Sequence, residues 1–354
     1  MQSFVYNALP GRVIFGSGTI STLKAEIERA GCKRALLLST PEQGAELKKI
    51  AAAIGPLAAG IFAQATMHTP VDVTERAIQA VKDVNADCTV AFGGGSSTGL
   101  GKAIALRTDL TQIAIPTTYA GSEMTPIIGE TEGGRKTTQR TLKVLPEIVI
   151  YDVDFTLTLP PRLTVTSGTN AIAHAVEALY AQDRNPVISM MAEQAIAALG
   201  RALSAIVANP QDRDARGEAL YGAWLCGVCL GSVGMALHHK LCHVVGGSFN
   251  LPHADTHTVI LPYAMAYNAK AAPEADKAVA RALGGRDGTS ALVELAKKLD
   301  SPHSLKSLGM KESEIDVAAD YAVQNPYWNP RPIERAPIRA LLADAWAGNP
   351  PHTA

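Results

Sequence analysis

The sequence has no long apolar run, no excess of charge of one sign and no even set of cysteines. No uninterrupted apolar stretch approaches the roughly 20 residues that a membrane-spanning helix requires, so we expect no membrane association. The formal net charge of −1 gives no overall field that would attract nucleic acid. The first residues show no basic segment followed by an apolar block, and we expect no signal peptide.

The five cysteines predict no disulfide framework, because their number is odd and they are scattered through 354 residues. Cys226 and Cys229 form a CxxC pair, but a redox pair of this type should follow a strand in a βαβ unit. They lie instead in an apolar stretch rich in small residues. We therefore predict two buried helix-core residues, in a protein of the reducing cytoplasm.

The N-terminal part of the chain alternates short apolar runs with helical patterns. Runs of β-branched and aliphatic residues bounded by turn residues predict buried strands at 34–39, 88–93, 112–117 and 147–152. Helical spacing is present between them, at 74–84 and 97–106. This alternation predicts an α/β domain over residues 1–155, with a mostly parallel sheet.

After residue 155 the pattern changes to helices alone. Residues 156–168 contain two prolines and predict a connector. Long helical periods follow at 167–181, 186–208, 213–245 and 273–285. We therefore expect an all-helical C-terminal domain over residues 156–354.

A glycine-rich turn follows the predicted strand at 88–93. The segment GGGSSTGLGK lacks the strict GxGxxG spacing of the general dinucleotide fingerprint. However, Gly94 and Gly95 would let the backbone approach a pyrophosphate, at a helix N-terminus that offers free N–H groups. Ser96 could cap this helix and donate to a phosphate oxygen. The alternative is a plain glycine turn between a strand and a helix.

Two further polar segments follow predicted strands. Thr117, Thr118 and Ser122 cluster hydroxyl groups after the strand at 112–117, and ligands of open α/β sheets bind at such strand ends. A hydroxyl-rich turn is the alternative. Thr40 follows the strand at 34–39, where an acidic residue would bind the ribose and repel a 2′-phosphate. Because Thr40 is neutral, we expect both NADH and NADPH to be accepted.

Five of the nine histidines fall between His238 and His257. Asn170 and His174 are four residues apart on a predicted helix, as are His239 and His243, so each pair shares one helix face. His253 follows Pro252 in a predicted loop. Together the two segments look like a four-ligand metal site in which asparagine replaces a carboxylate. The alternative is a set of buried histidines that only pack in the core.

The order of these segments resembles the iron-containing alcohol dehydrogenase family over nearly the full length. The matching segments are Gly93–Ser96, Ile115–Glu123, Asn170–His174, His239–His243 and Pro252–His253. Within that family the chain most resembles the maleylacetate reductase branch, through residues 93–105, 167–180 and 325–342. The resemblance implies reduction of the carbon–carbon double bond of 2-maleylacetate to 3-oxoadipate by NADH or NADPH, and a homodimer.

Two residues depart from the metal-dependent branch of this family. Asn170 stands where that branch has a ligand aspartate, and Gly99 stands where it has an aspartate after the glycine turn. The Asn170 change removes the only anion of the ligand set. Two unit charges about 4 Å apart interact by about 4 kcal/mol at an effective dielectric of 20, and a divalent ion roughly doubles this. We therefore expect no bound metal.

Without a metal, a histidine is the natural proton donor, because its pKa lies near neutral pH. Reduction next to a ketone leaves an enolate that must be stabilised and protonated. His243 is our first candidate for the acid, with His253 and His239 as donors to the enolate oxygen. The sequence does not decide among the three.

The substrate implied by the resemblance is a small dicarboxylate, so its pocket needs cations or oriented donors. Arg331 is our first candidate for a carboxylate clamp, because a guanidinium binds a carboxylate through two hydrogen bonds. Tyr327 could donate a further hydrogen bond. Asn170 and His174 would line the same pocket, where an asparagine amide can donate and an ionised aspartate cannot. A solvated proline-rich loop is the alternative for residues 325–332.

Three other functions are compatible with parts of the sequence. A metal-dependent alcohol dehydrogenase would have to bind zinc or iron through the carbonyl of Asn170. A lyase resembling dehydroquinate synthase would need a metal and a phosphate pocket rich in lysine and arginine, and few lysines lie near the histidines. A protein that only binds ligands would not need both cofactor loops.

Overall fold

The structure is a computed structural model that describes residues 3–133, 135–325 and 327–352. It divides into two compact units. One is Ala8–Leu159; the other comprises the segment before Ala8 and the chain from Pro160 onward. The boundary expected at residue 155 falls within a short 3-10 turn, Val153–Thr156.

The first unit contains a six-stranded parallel sheet and a two-stranded antiparallel hairpin. The strands are β1 Arg12–Gly16, β2 Ala35–Leu38, β3 Ala58–Phe62, β4 Cys88–Gly93, β5 Thr111–Pro116, β6 Ile127–Glu132, β7 Arg135–Arg140 and β8 Ile148–Asp152. The order in the large sheet is β1-β8-β5-β4-β2-β3, and β6 pairs with β7. The predicted parallel α/β architecture is confirmed. All four predicted strands are present, whereas β1, β3 and the hairpin were not predicted.

Four helices cover the sheet of the first unit. They are α1 Leu23–Arg29, α2 Gly44–Ile54, α3 Val71–Asp83 and α4 Gly95–Thr108. Alternate residues of β2 enter different cores: Ala35 and Leu37 pack with α1 and α2, while Leu36 and Leu38 pack with α3 and α4. Both faces of the strand are therefore buried, which explains why its sequence is continuously apolar.

The second unit is helical throughout its described residues. Its helices are α5 Pro161–Tyr180, α6 Pro186–Ala208, α7 Arg213–Ser232, α8 Leu237–Phe249, α9 His253–Asn268, α10 Pro273–Leu283, α11 Gly288–Lys298, α12 Ile315–Val323 and α13 Arg335–Ala347. Cys226 and Cys229 are completely buried in α7, as predicted. The remaining three cysteines are also free and buried.

Three local predictions for the helical unit were wrong. Most of segment 156–168 is not a connector, because α5 begins at Pro161, and proline is well tolerated at the first helical position. Segment 213–245 is not one helix but two, α7 and α8, which meet at an angle of 96°. His253 is not in a loop; it is the first residue of α9.

Helix α6 is long and apolar enough to span a membrane by length and composition alone. Its most apolar 18-residue window has a mean hydropathy of 1.3 and is 44% buried. Helices α5, α7 and α10 pack against it, and Gly222 of α7 permits the close approach, since a Cβ there would lie 2.8 Å from Leu199 Cγ. Helices α7 and α8 satisfy the same criterion only as a bent pair.

Candidate active site

The carboxyl ends of three neighbouring strands bring the predicted cofactor residues of the first unit together. Strands β5, β4 and β2 are adjacent, and Thr117, Gly94 and Thr40 follow their respective ends. The chain order changes direction between β4 and β2, and dinucleotides bind at such switch points of open α/β sheets. The sheet therefore brings the loops that the sequence indicated to one edge.

The glycine turn leaves the N-terminus of α4 open. Gly94 is the N-cap residue, and no side chain caps the helix. Ser96 was predicted as the cap, but it is the second residue of α4. A Cβ at Gly93, whose φ is 138°, would lie 2.3 Å from Gln43 Oε1, whereas a Cβ at Gly95 would meet nothing within 4 Å. No side-chain hydrogen bond therefore caps the N-terminus of α4, and the space beside Gly95 is open.

Hydrogen bonds join the glycine turn to the neighbouring threonine loop. The N–H of Thr117 donates to Gly93 O at 3.0 Å, and Gln43 Nε2 donates to Thr117 Oγ1 at 3.0 Å. A methyl group at Gly94 would lie 3.0 Å from Thr118 Cγ2, so only glycine fits comfortably. The buried Ser97 Oγ has no hydrogen-bond partner in the described structure, and it lies beside this turn.

A buried lysine that the sequence analysis missed holds the loop around Ser122. Lys102 Nζ donates to the carbonyl oxygens of Ser122, Thr125 and Ile127 at 2.6–2.8 Å. Burial lowers the pKa of Lys102 to about 7, although the nearby charge of Glu123 acts to raise it. Burial likewise raises the pKa of Glu123, which accepts a hydrogen bond from the Tyr151 hydroxyl at 2.8 Å.

Six histidines form one cluster in the helical unit. His257 is completely buried and lies at the centre; the other ring centroids lie 4.4–6.5 Å from its own, and they belong to His174, His238, His239, His243 and His253. Only His243 and His253 are exposed to solvent. Their rings are stacked with centroids 6.5 Å apart. The cluster therefore opens to solvent through these two side chains.

A line of hydrogen bonds runs from Asn170 to Glu177 through two of the buried histidines. Asn170 Nδ2 lies 3.4 Å from His174 Nε2, and His174 Nδ1 lies 2.8 Å from His239 Nε2. His239 Nδ1 lies 2.7 Å from the Glu177 carboxylate. An ionised carboxylate only accepts, so the proton of His239 lies on Nδ1 and is donated to Glu177. His239 Nε2 then accepts from His174 Nδ1, and His174 Nε2 accepts from Asn170 Nδ2.

Glu177 is completely buried and is held by donors from several sides. The N–H groups of Ala236 and His238 donate to it at 2.8 Å, and Tyr180 donates at 3.2 Å. Burial alone would raise its pKa, but the hydrogen bond and charge of His239, the charge of His238 and the Ala236 N–H outweigh this effect. They lower the pKa of Glu177 to about 2. This carboxylate thus anchors both His239 and the N-terminus of α8.

A second buried group lies around His257. His238 Nε2 is 2.9 Å from His257 Nδ1 and 3.6 Å from Cys242 Sγ. These three donor atoms are close enough to hold a metal ion, but 2.9 Å is the length of a direct hydrogen bond. Burial lowers the pKa of His238 to about 3 and that of His257 well below its ordinary value. Both rings are therefore neutral near pH 7.

The predicted four-position ligand set does not have the arrangement of a metal site. The facing ring nitrogens of His174 and His239 share one proton at 2.8 Å instead of converging on an ion. The other ring nitrogen of His239 is bonded to Glu177. At position 170 the only available ligand atom is the neutral amide oxygen of Asn170, which is buried without a hydrogen-bond partner in the described structure. The donor chemistry therefore does not fit a dication.

The two residues predicted in the segment after α12 occupy different environments. The ring of Tyr327 packs on the core of the helical unit, and its hydroxyl is buried without a hydrogen-bond partner in the described structure. The guanidinium of Arg331 lies 4.1 Å from the centroid of the Tyr267 ring. Asn329 ties this segment to α8 and α9, since Leu237 N and Asn268 Nδ2 both donate to its Oδ1.

Comparison with known proteins identifies the family. The family model described as iron-containing alcohol dehydrogenase matches residues 10–153, and the model described as the C-terminal part of the Fe-containing alcohol dehydrogenase family matches residues 164–346. The chain belongs to the iron-containing alcohol dehydrogenase family. Membership of this family confirms the resemblance inferred from the sequence motifs and shows that the protein is an oxidoreductase.

The relatives also identify the branch of the family. Maleylacetate reductase from Rhizobium sp. (strain MTP-10005) is 56% identical over 351 residues, which are 99% of this chain and 100% of the relative. The crystal structure of maleylacetate reductase from Agrobacterium tumefaciens has a TM-score of 0.97 at 54% identity and covers 99% of this chain and 100% of its own. An iron-containing alcohol dehydrogenase from Corynebacterium glutamicum has a TM-score of 0.94 at 42% identity, with coverages of 98% and 97%. The chain lies in the maleylacetate reductase branch.

Replacement of Glu177 by glutamine should destabilise the helical unit. E177Q keeps the size of the side chain but replaces one acceptor oxygen by an NH₂ group that faces N–H donors, and leaving buried donors unpaired costs about 1–3 kcal/mol, or more where a charged group is involved. The pKa of the native carboxyl, about 2, lies below its ordinary value of 4.5. The contribution of the ionised carboxylate to the free energy of unfolding is therefore fully present above about pH 4.5 and is lost as the pH falls toward 2.

Urea unfolding of wild type and E177Q over a pH series measures this contribution. The difference in the free energy of unfolding between wild type and E177Q should be constant above about pH 4.5 and should shrink below it. E193Q is the matched control, because Glu193 pairs with Arg281 at the exposed surface, where an ion pair contributes little. Equal stabilities of E177Q and E193Q at pH 7 would contradict the anchoring role of Glu177.

Proposed function

We propose that the protein reduces the carbon–carbon double bond of 2-maleylacetate to give 3-oxoadipate, without a metal, in the histidine cluster of the helical unit. The observation that carries the proposal is the pair of exposed rings of His243 and His253 at the opening of an otherwise buried cluster, in a chain of this branch. Exposed imidazoles can deliver a proton to a substrate and recover one from water.

The loops at the sheet edge of the first unit would hold NADH or NADPH. The N–H groups at Gly94 and Gly95, with the Ser96 hydroxyl, suit the pyrophosphate, and the hydroxyls of Thr117, Thr118 and Ser122 suit its other polar groups. Thr40 would face the ribose. Glu42, two residues after Thr40, is exposed and receives a hydrogen bond from the Thr40 side chain that lowers its pKa. Thr40 itself carries no charge, so we expect both NADH and NADPH to be accepted.

The chemistry required of the bound nicotinamide is one hydride, delivered to the alkene carbon remote from the ketone. The resulting enolate then takes one proton at the carbon that lies between the ketone and the carbon that received the hydride. This completes the addition of two hydrogens to the double bond. His243 would supply that proton, and His253 would donate to the enolate oxygen. Both ring nitrogens of His239 are bonded to His174 and Glu177, so His239 would act by orienting its neighbours.

The remaining substrate contacts follow from the same site. Asn170 and His174 would line the buried end of the pocket, where Asn170 Nδ2 is bonded to His174 and the amide oxygen has no partner among the described residues. Arg331 would bind a carboxylate, because its stacking on Tyr267 leaves N–H groups on the guanidinium edge. Tyr327 would act through its ring, because its hydroxyl is buried.

We also propose that the enzyme acts in the cytoplasm as a homodimer and that its ligands are small molecules, not nucleic acid or membranes. The free, buried cysteines suit a reducing compartment. The resemblance to the maleylacetate reductase branch supports the dimer.

Assay of the purified protein with 2-maleylacetate tests the function directly. We expect oxidation of NADH that persists after treatment with a chelator, in protein with far less than one metal ion per chain. Loss of activity to the chelator, together with stoichiometric metal, would contradict the metal-independent reaction. Oxidation of simple alcohols without reduction of maleylacetate would instead favour a metal-type alcohol dehydrogenase.

Replacement of His243 by alanine should lower kcat about 10²- to 10⁴-fold, because a general acid contributes this much to a proton transfer. H253A should have a smaller effect if it only stabilises the enolate. H303A is the control, since His303 is exposed on the same unit and is no member of the cluster. A kcat for H243A equal to that of H303A would eliminate His243 as the proton donor.

Substitution of Gly95 by alanine should weaken cofactor binding at least about tenfold without unfolding the protein. The added methyl group meets no protein atom within 4 Å, so it would project into the space assigned to the pyrophosphate. G11A is a matched control at the residue before β1, where the methyl would make an ordinary contact 3.8 Å from Pro146 O. Titration of NADH fluorescence measures both affinities; unchanged binding by G95A would refute the assigned loop.

A further inference from the structure

We propose that Lys240 binds one carboxylate of the substrate and thereby selects dianions, as the partner of Arg331 in a site with two cations. This inference rests on the proposed function, since it assigns a specificity-determining residue to the same pocket. Lys240 lies within the sequence HHKLCH, but it was not among the residues predicted from the sequence.

Lys240 lies beside the exposed histidine of α8. It follows His239 directly and precedes His243 by three residues. Residues three apart on a helix differ by about 60° in direction and are neighbours on its surface. Lys240 is half-buried and His243 is exposed, so the two side chains share the rim where the histidine cluster meets solvent. A cation is thus present next to the proposed proton donor.

An aromatic ring, not a carboxylate, accompanies the ammonium group of Lys240. Its Nζ lies 5.5 Å from the centroid of the Tyr327 ring, which is fixed by packing on the core of the helical unit. No ion pair joins Lys240 to the described residues, whereas Lys277 and Lys297 each pair with a glutamate on their own helices. The ammonium of Lys240 is therefore positioned by a ring but not neutralised.

Arg331, in the segment after α12, is likewise held against a tyrosine ring. Its guanidinium stacks 4.1 Å from the Tyr267 ring, and its Nη1 donates to Tyr267 O at 3.3 Å. Asn329 links it to α8, since Nδ2 of Asn329 donates to Arg331 O at 2.7 Å and Leu237 N donates to Asn329 Oδ1. Arg331 also forms no ion pair with the described residues. Two cations held on tyrosine rings thus belong to one connected framework.

A site with two cations matches a ligand with a carboxylate at each end better than a site with a single cation does. A charge-assisted hydrogen bond to a carboxylate is stronger than a neutral one, and it is lost entirely for a ligand with a methyl group at that end. Each cation lacks a protein carboxylate that the substrate would have to displace. Lys240 would therefore raise the affinity for dianions selectively while leaving proton transfer by His243 unaffected.

Substitution of Lys240 by methionine tests the assignment. K240M should raise KM for 2-maleylacetate about 10- to 100-fold with kcat within a few-fold, and K240R should recover part of the loss. K306M is the matched control, because Lys306 is exposed with its Nζ 5.2 Å from the Trp346 ring, away from the histidines. NADH titration shows whether each variant retains its fold.

Calorimetry with two unreactive acids separates a substrate contact from a structural effect. Adipate has the chain length of the substrate and two carboxylates, and hexanoate has one. Their affinity ratio on the NADH-saturated protein should fall about tenfold or more in K240M and stay unchanged in K306M. An unchanged ratio in K240M would overturn the assignment even if KM rose. If wild type binds adipate but does not reduce maleylacetate, the proposed function fails while the role of Lys240 is still decided by the ratio.

Discussion

The buried charge of Glu177 is the constraint on which the rest of the helical unit's site depends. Its carboxylate accepts the N–H groups that begin α8 and also the Nδ1 proton of His239. A buried carboxylate must be compensated in this way, because desolvation of an unpaired charge is very costly. One anion therefore fixes the start of a helix and the tautomer of the histidine next to it.

The burial of the histidines divides their roles. His238 and His257 are completely enclosed, and burial lowers the pKa of both, so protonating either would place a charge in the interior. His174 and His239 are occupied by each other and by Glu177. In the proposed reaction, proton exchange with the substrate would therefore fall to the exposed rings of His243 and His253, while the enclosed rings of His238 and His257 stay neutral.

The sequence predicts what depends on local pattern and misses what depends on distant contacts. Strands buried on both faces were recognised because they are continuously apolar, whereas edge strand β3 is short, half-exposed and interrupted by Gly60. The break between α7 and α8 has no local signal. The N–H groups of Gly234 and Ala236 bond there to Asp183 and Glu177, more than 50 residues earlier. Glu177 itself could have been found, because it shares a helix face with His174.

The asparagine at position 170 is consistent with the presence of Glu177 at the other end of the same hydrogen-bonded line. An aspartate at 170 would place a second buried carboxylate beyond His174, and two anions joined by two imidazoles need a cation or extra protons to balance them. In metal-binding relatives a dication would meet that need. Here the donors around Glu177 already compensate its single charge, and a neutral amide at 170 adds no second one to the line. A change of one oxygen to nitrogen thus leaves a hydrogen-bonded line that needs no further charge, as the proposed metal-independent reaction requires.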